Sequence, residues 1–211
     1  IRIFFNIRFC FTKSFNYYAH MFVLKNKYYF IIESIRDIDL KNIKNSKKFC
    51  IIYRSNKIAK NIEKLIKFRR ICKAKNIEFY ISNNVKLAST LKADGVYISA
   101  YNKNLGLCRL KNSNFKIIGS AHNIKELNTK KLQRCSDIIF SRLFETFYKD
   151  KKGFLGLVKF NLFKLSIKEN LTPLGGIRLY NLNKLNIVKC NSFALASEIK
   201  KKTKILSERL F

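Results

Sequence analysis

Acidic residues are scarce in this chain: 13 Asp and Glu stand against 44 Lys and Arg, a formal charge of +31 over 211 residues. Tryptophan is absent, and there are only one proline and seven glycines. That leaves no Pro-rich or Gly-rich linker, and no self-similar period suggests a solenoid. No apolar run reaches the ~18 uninterrupted residues of a transmembrane helix. The six cysteines, Cys10, Cys50, Cys72, Cys108, Cys135 and Cys190, form no C-x-x-C and lie near no histidine cluster. They read as reduced, buried cysteines of a cytoplasmic protein rather than zinc ligands or a disulfide framework.

An excess of base would ordinarily indicate nucleic acid or an anionic membrane. Here lysine outnumbers arginine three to one, and Ile, Asn, Phe and Tyr are abundant as well, as an AT-rich coding sequence produces without any partner. The charge is spread over Lys47–Lys48, Lys57 to Lys75, Lys149 to Lys152 and Lys200 to Lys204 rather than gathered on one element. The expectation is a solvated basic surface, with neither nucleic acid nor membrane as partner. The first 20 residues are basic, aromatic and free of acids, and the single methionine, Met21, directly precedes the first strand-like run. Residues 1–20 are therefore expected to be a non-native or unstructured extension. A targeting presequence is the other option, though no A-x-A-like cleavage site is present.

From Met21 onward, short β-rich runs alternate with helical patterns, which is the order expected of a parallel sheet covered by helices. Strands are predicted at Tyr28–Ile32, Phe49–Tyr53, Glu78–Ile81, Gly95–Ile98, Lys116–Gly119, Asp137–Ser141, Leu171–Leu174 and Ser192–Leu195. Apolar residues at helical spacing predict helices over Ile58–Lys75, Asn123–Gln133, Leu157–Asn170 and Leu179–Leu185. Eight strands imply a single-domain (β/α)8 TIM barrel over residues 21–211. A doubly wound open sheet is the alternative, but no G-x-G-x-x-G follows the first strand.

The run Thr172-Pro173-Leu174-Gly175-Gly176-Ile177 ends a strand in two glycines. Without a Cβ, backbone N–H groups can approach an anion closely. The last strand runs into Ala196-Ser197, a small residue and a hydroxyl that can close the other side. In barrels of this class the loops after the seventh and eighth strands often hold phosphate.

Seven pieces in order resemble the thiamine phosphate synthase and thiazole tautomerase (TenI-like) barrels over residues 28–205. They are Ile52-Tyr53-Arg54-Ser55-Asn56, Ile81 to Ala88, Ala93 to Ile98, Gly119-Ser120-Ala121-His122, Leu143 to Lys149, Gly175-Gly176 and Ala196-Ser197. The resemblance implies a synthase that joins a pyrimidine methyl diphosphate to a thiazole phosphate and releases diphosphate. It also implies that Arg54 and Lys149 grip the diphosphate, that Ser120 and Thr146 position substrate, and that the Gly175-Gly176 and Ala196-Ser197 loops hold the thiazole phosphate. Asn56 stands where the family carries a substrate-binding lysine, and Ile52 where it carries a glutamine.

Family synthases hold Mg²⁺ with acids at two places where this chain has Asn83 and Asn102. Neutral amides suit that hard ion poorly unless the substrate diphosphate supplies the charge. Loss of these acids raises a metal-free tautomerase as the alternative. His122 would then be the proton shuttle, because imidazole titrates near neutrality. The Phe144-Glu145-Thr146 run also looks more like the tautomerase branch. A degenerate barrel that binds a phosphorylated ligand without turnover is the third reading. Asp94, in Ala-Asp-Gly, reads as a turn carboxylate rather than a catalytic acid.

Overall fold

The computed structural model describes residues 26–43, 46–55, 62–112, 115–146 and 153–199. Asn56 to Asn61, the Lys149–Lys152 run and the proposed extension at 1–20 lie outside them.

Eight parallel strands close on themselves in sequence order. They are β1 (Lys27–Ile32), β2 (Phe49–Tyr53), β3 (Glu78–Ser82), β4 (Gly95–Ile98), β5 (Lys116–Ala121), β6 (Asp137–Ser141), β7 (Asn170–Leu174) and β8 (Ser192–Leu195). Closure comes from β1 against β8, with Lys27 opposite Ser192 and Phe30 opposite Leu195. Between β7 and β8 the ladder is short and centres on Leu174 opposite Ala194, whereas β6 and β7 are in register from Asp137 to Ser141. Pro173, the only proline of the chain, sits in β7 and brings no N–H to this ladder.

Side chains alternate across the wall, as the twofold strand period requires. Tyr28, Phe30, Phe49, Ile51, Phe79 and Val96 face outward into the layer under the helices. Tyr29, Ile31, Cys50, Ile52, Tyr80, Tyr97, Ile118, Ile139 and Ala194 fill the lumen. Burial of both faces explains why these strands read as near-continuous apolar runs. Gly95 makes room for this filling: a Cβ there would lie 2.7 Å from the Tyr80 ring and 2.1 Å from the Lys116 carbonyl oxygen.

The helices are α1 (Ile62–Ala74), α2 (Val85–Thr90), α3 (Ile124–Leu132) and α4 (Gly156–Leu165). Asn84 caps α2 through the Leu87 N–H, and Asn123 caps α3 through the Glu126 N–H. Where a helix was expected over Leu179–Leu185, Leu179–Ile187 forms a 3₁₀ helix instead. Its run carries three asparagines, which compete with the backbone for hydrogen bonds. One of them, Asn181, is engaged with the Arg178 N–H and the Gly176 carbonyl. Leu105–Asn112 is 3₁₀ as well, and short 3₁₀ turns span the path from β1 to β2. The helical pattern running on to Asn170 stops at Leu165, because Asn170 already begins β7.

Asp94 takes the bland role. It accepts from the Arg69 guanidinium at 2.9 Å and from the Phe79 N–H at 2.7 Å, fixing α1 against the entry of β3 and β4. Cys50, Cys72, Cys108 and Cys135 are free thiols, and burial pushes the Cys72 and Cys135 thiols up to about 12.

At the N-terminal end of the lumen Glu78 gathers Lys27 at 3.0 Å, the Tyr80 hydroxyl at 2.7 Å, the Cys50 thiol at 3.4 Å and the Lys116 ammonium. Burial alone would raise its carboxyl, but hydrogen bonds from Lys116, Tyr80 and Lys27 outweigh it and hold the pKa at about 2. Asp137 faces the same cluster and is pushed up, chiefly by burial. With its folded-state value depressed, Glu78 contributes stability above the unfolded carboxyl's ~4.3. That contribution fades as pH falls towards about 2. Glu78→Gln should cost roughly 2 kcal/mol at neutral pH. Urea unfolding followed from pH 7 to pH 3 should show the variant losing less stability on acidification than the parent.

Candidate functional site

Because all eight strands are parallel, their C-terminal ends share one rim, and each following loop delivers its residues there. A cavity of about 170 Å³ opens on that rim. It is lined from β2 by Arg54, from β5 by His122, from β6 by Ser141, Arg142 and Thr146, from β7 by Gly175, Gly176 and Arg178, and from β8 by Ala196 and Ser197. Of the sequence-predicted residues, seven therefore meet in one hollow: Arg54, His122, Thr146, Gly175, Gly176, Ala196 and Ser197. Lys149 and Asn56 lie outside the described residues. Ser120 is not part of this lining; it is buried at the C-terminal end of β5 and hydrogen-bonds Tyr97.

The glycine pair adopts left-handed backbone. Gly175 has φ +102° and Gly176 φ +67°. A Cβ at Gly176 would stand 2.3 Å from the Glu145 carbonyl oxygen, so the loop after β7 presses directly on the loop after β6. Backbone bonds join them: the Leu143 N–H donates to Leu174 O, and the Phe144 N–H to Gly175 O. Asn181 then anchors the turn from beyond, donating to Gly176 O at 2.9 Å.

Two arginines that the sequence reading did not single out join Arg54 at this cavity. Arg142 donates to the Thr146 hydroxyl at 2.9 Å, and Arg178 to Glu198 at 2.8 Å. Neither has a sequence signature, since a lone arginine beyond a strand looks like any surface cation. Strand parity gives no clue to Arg142, because the residue after the inward-facing Ser141 is due to point outward. Arg54 leans towards Glu33 at 3.3 Å, and both side chains are well exposed. Three guanidiniums around one mouth make a field that favours phosphate oxygens, which the planar fork can grip bidentately.

His122 meets a hydroxyl. Its Nδ1 lies 2.5 Å from Ser141 Oγ, with donor and acceptor set by the ring tautomer. Its backbone N–H donates to Glu126, the residue whose N–H is capped by Asn123, so the first turn of α3 fixes where the imidazole stands. An imidazole so held beside a bound ligand can take up or deliver a proton.

Asn83 and Asn102 converge. The Asn102 amide donates to Asn83 Oδ1 at 3.1 Å, and the same oxygen accepts the Ser99 N–H at 3.0 Å. Asn83 also donates to Ser99 Oγ, and Asn102 Oδ1 accepts the Asn104 N–H. Both side-chain oxygens already serve hydrogen bonds, neither carries charge, and among the described residues no group of three or more His, Cys, Asp or Glu is placed to hold a metal. This donor set does not fit Mg²⁺, which favours anionic oxygen in strict octahedral geometry. Asn83 has φ +56°, a conformation that Asn tolerates better than most residues.

Residues 35–199 match the family described as thiamine monophosphate synthase. A thiamine-phosphate synthase of Pelagibacter ubique is 31% identical over 168 residues, covering 76% of this chain and 80% of that protein. One from Prochlorococcus marinus is 30% identical over 132 residues, 61% of this chain and 38% of that protein. Among solved structures, a thiamine phosphate pyrophosphorylase from Pyrococcus furiosus superposes with a TM-score of 0.68 at 17% identity, over 89% of this chain and 96% of that one. No helix among the described residues is long and apolar enough to cross a membrane.

If Asn83 and Asn102 stand at a former cation position, the double substitution Asn83→Asp with Asn102→Asp should raise Mg²⁺ affinity at least about tenfold. Isothermal titration with MgCl₂ checks this. Unchanged heats would mean that the two positions do not share a cation.

Proposed function

Because the chain belongs to the thiamine monophosphate synthase family, we propose that it joins a pyrimidine methyl diphosphate to a thiazole phosphate, releasing diphosphate and forming thiamine phosphate. The observation that carries this reading is the cavity whose lining brings together the glycine turn after β7, the Ala196-Ser197 loop, Arg54 and Arg142. In this reading the turn and the loop cradle a phosphate monoester, and the guanidiniums receive a leaving group.

In this reading the C–O bond between the pyrimidine methylene and the diphosphate breaks first, its electron pair leaving with the diphosphate. The electron-rich ring carries the resulting positive charge until the thiazole nitrogen forms the new C–N bond. Arg54 and Arg142 stabilise the departing negative charge, the kind of preorganised electrostatic help that matters most when charge separates in a water-poor site. Thr146 keeps Arg142 aimed, and Lys149 and Asn56 are proposed as further contacts to the same substrate. Ser120, buried below the rim beside Tyr97, is proposed to act on substrate position from that layer. No step is assigned to Mg²⁺, since the amide pair does not suit it. Small phosphorylated substrates, no nucleic acid or membrane partner and a cytoplasmic setting belong to the same proposal.

The 2.5 Å contact between His122 and Ser141 favours a second reading, the metal-free tautomerisation of a thiazole carboxylate phosphate. There His122 would move a proton between two ligand atoms while the same loops held the phosphate.

Purified protein incubated with both synthase substrates, with Mg²⁺ or with EDTA, should release diphosphate and thiamine phosphate in equal amounts. Arg54→Ala should lower kcat/KM by roughly 100-fold. Release of no diphosphate under either condition, together with isomerisation of the thiazole carboxylate phosphate, would transfer the assignment to the tautomerase. Binding of thiazole phosphate without any turnover would leave a ligand-binding barrel.

A further inference from the structure

We propose that Arg178 is a side-chain phosphate clamp of this site and that Glu198 is its positioning residue. The inference rests on the phosphate reading of the loops after β7 and β8 given above. Arg178 follows Gly175-Gly176 by two residues, and Glu198 follows Ser197 directly, so the two carriers of the proposed cradle each end in one member of an ion pair. Arg178 Nη1 donates to Glu198 Oε2 at 2.8 Å. Arg178 borders the cavity, whereas Glu198 does not. The Glu198 side chain is 11% exposed and that of Arg178 22%, so the carboxylate lies deeper and holds the cation from behind.

That arrangement is costly as a purely structural device. Drawing both charges out of water consumes most of what their attraction returns, so a largely buried pair contributes little net stability. Facing a ligand, it has a clear use. Glu198 holds the guanidinium through Nη1, and the planar fork so held can meet phosphate oxygens of a ligand in the cavity. The backbone around Arg178 is fixed too, because its N–H donates to Asn181, which in turn holds Gly176. Backbone amides alone recognise an anion of any kind, but an aimed guanidinium adds strength towards a dianionic phosphate monoester. Arg178 therefore sets the preference for a phosphorylated thiazole over its free alcohol.

The test is isothermal titration of the full chain with thiazole phosphate and, separately, with the corresponding thiazole alcohol. The parent should prefer the phosphorylated compound. Arg178→Gln should lose roughly 10- to 100-fold in affinity for the phosphate while its affinity for the alcohol stays within about twofold. Glu198→Gln should reduce the same preference by a smaller factor, since the cation remains but is no longer held. Arg178→Lys, which keeps the charge and loses the fork, should fall between parent and Arg178→Gln and serves as the measure if the Gln variant does not fold. A preference unchanged in the Arg178 variants overturns this inference and leaves the phosphate reading standing. Failure of the parent to bind thiazole phosphate overturns both.

Discussion

Closure of the sheet by β1 against β8 is the constraint on which every other feature of this molecule depends. Residues about 165 positions apart become neighbours there, Lys27 beside Ser192 and Phe30 beside Leu195. With the ring closed and every strand parallel, side chains from β2, β5, β6, β7 and β8 are delivered to one rim, and a cavity lined from both ends of the chain exists at all. The lumen below is filled by tyrosines and branched residues, so the rim has a solid floor. Charge enters that floor at its far end, where Glu78 and its lysines are paired with one another.

The strands were legible in the sequence because the barrel buries both of their faces. Runs such as Phe49-Cys50-Ile51-Ile52 and Asp137-Ile138-Ile139-Phe140 have no polar face to blur them, and all eight lie where hydrophobicity put them. The covering layer was less legible. At 179–187 the leucine spacing suits an α-helix, but Asn181 serves the glycine turn instead of the helix, and the segment tightens to 3₁₀. Spacing reports which face is buried and says little about which turn the backbone takes to bury it.

At the site, the glycines were readable because their requirement is steric and local, whereas Arg142 and Arg178 were not, because their meaning depends on which way a strand end points. His122 illustrates the middle ground. Its residue type suggested proton transfer, while its partner, Ser141, sits 19 positions away and emerges only from the pairing of β5 with β6. The two asparagines show the reverse: their convergence was implied by resemblance, but the hydrogen bonds from Asn102, Ser99 and Asn104 that occupy the oxygens a cation would need depend on the turn at Ser99 and the left-handed backbone of Asn83.

The lone proline carries one more implication. With Pro173 in β7 and the ladder to β8 confined to the neighbourhood of Leu174 and Ala194, this is the slackest seam between staves of the barrel. Side chains bridge it in place of amides: the hydroxyls of Thr172 and Ser192 at 2.6 Å near one end, and Arg178 with Glu198 at the other. An anion seated between the two loops would be one more rivet across that seam. Filling the mouth and holding the cask shut thereby become a single coupled equilibrium.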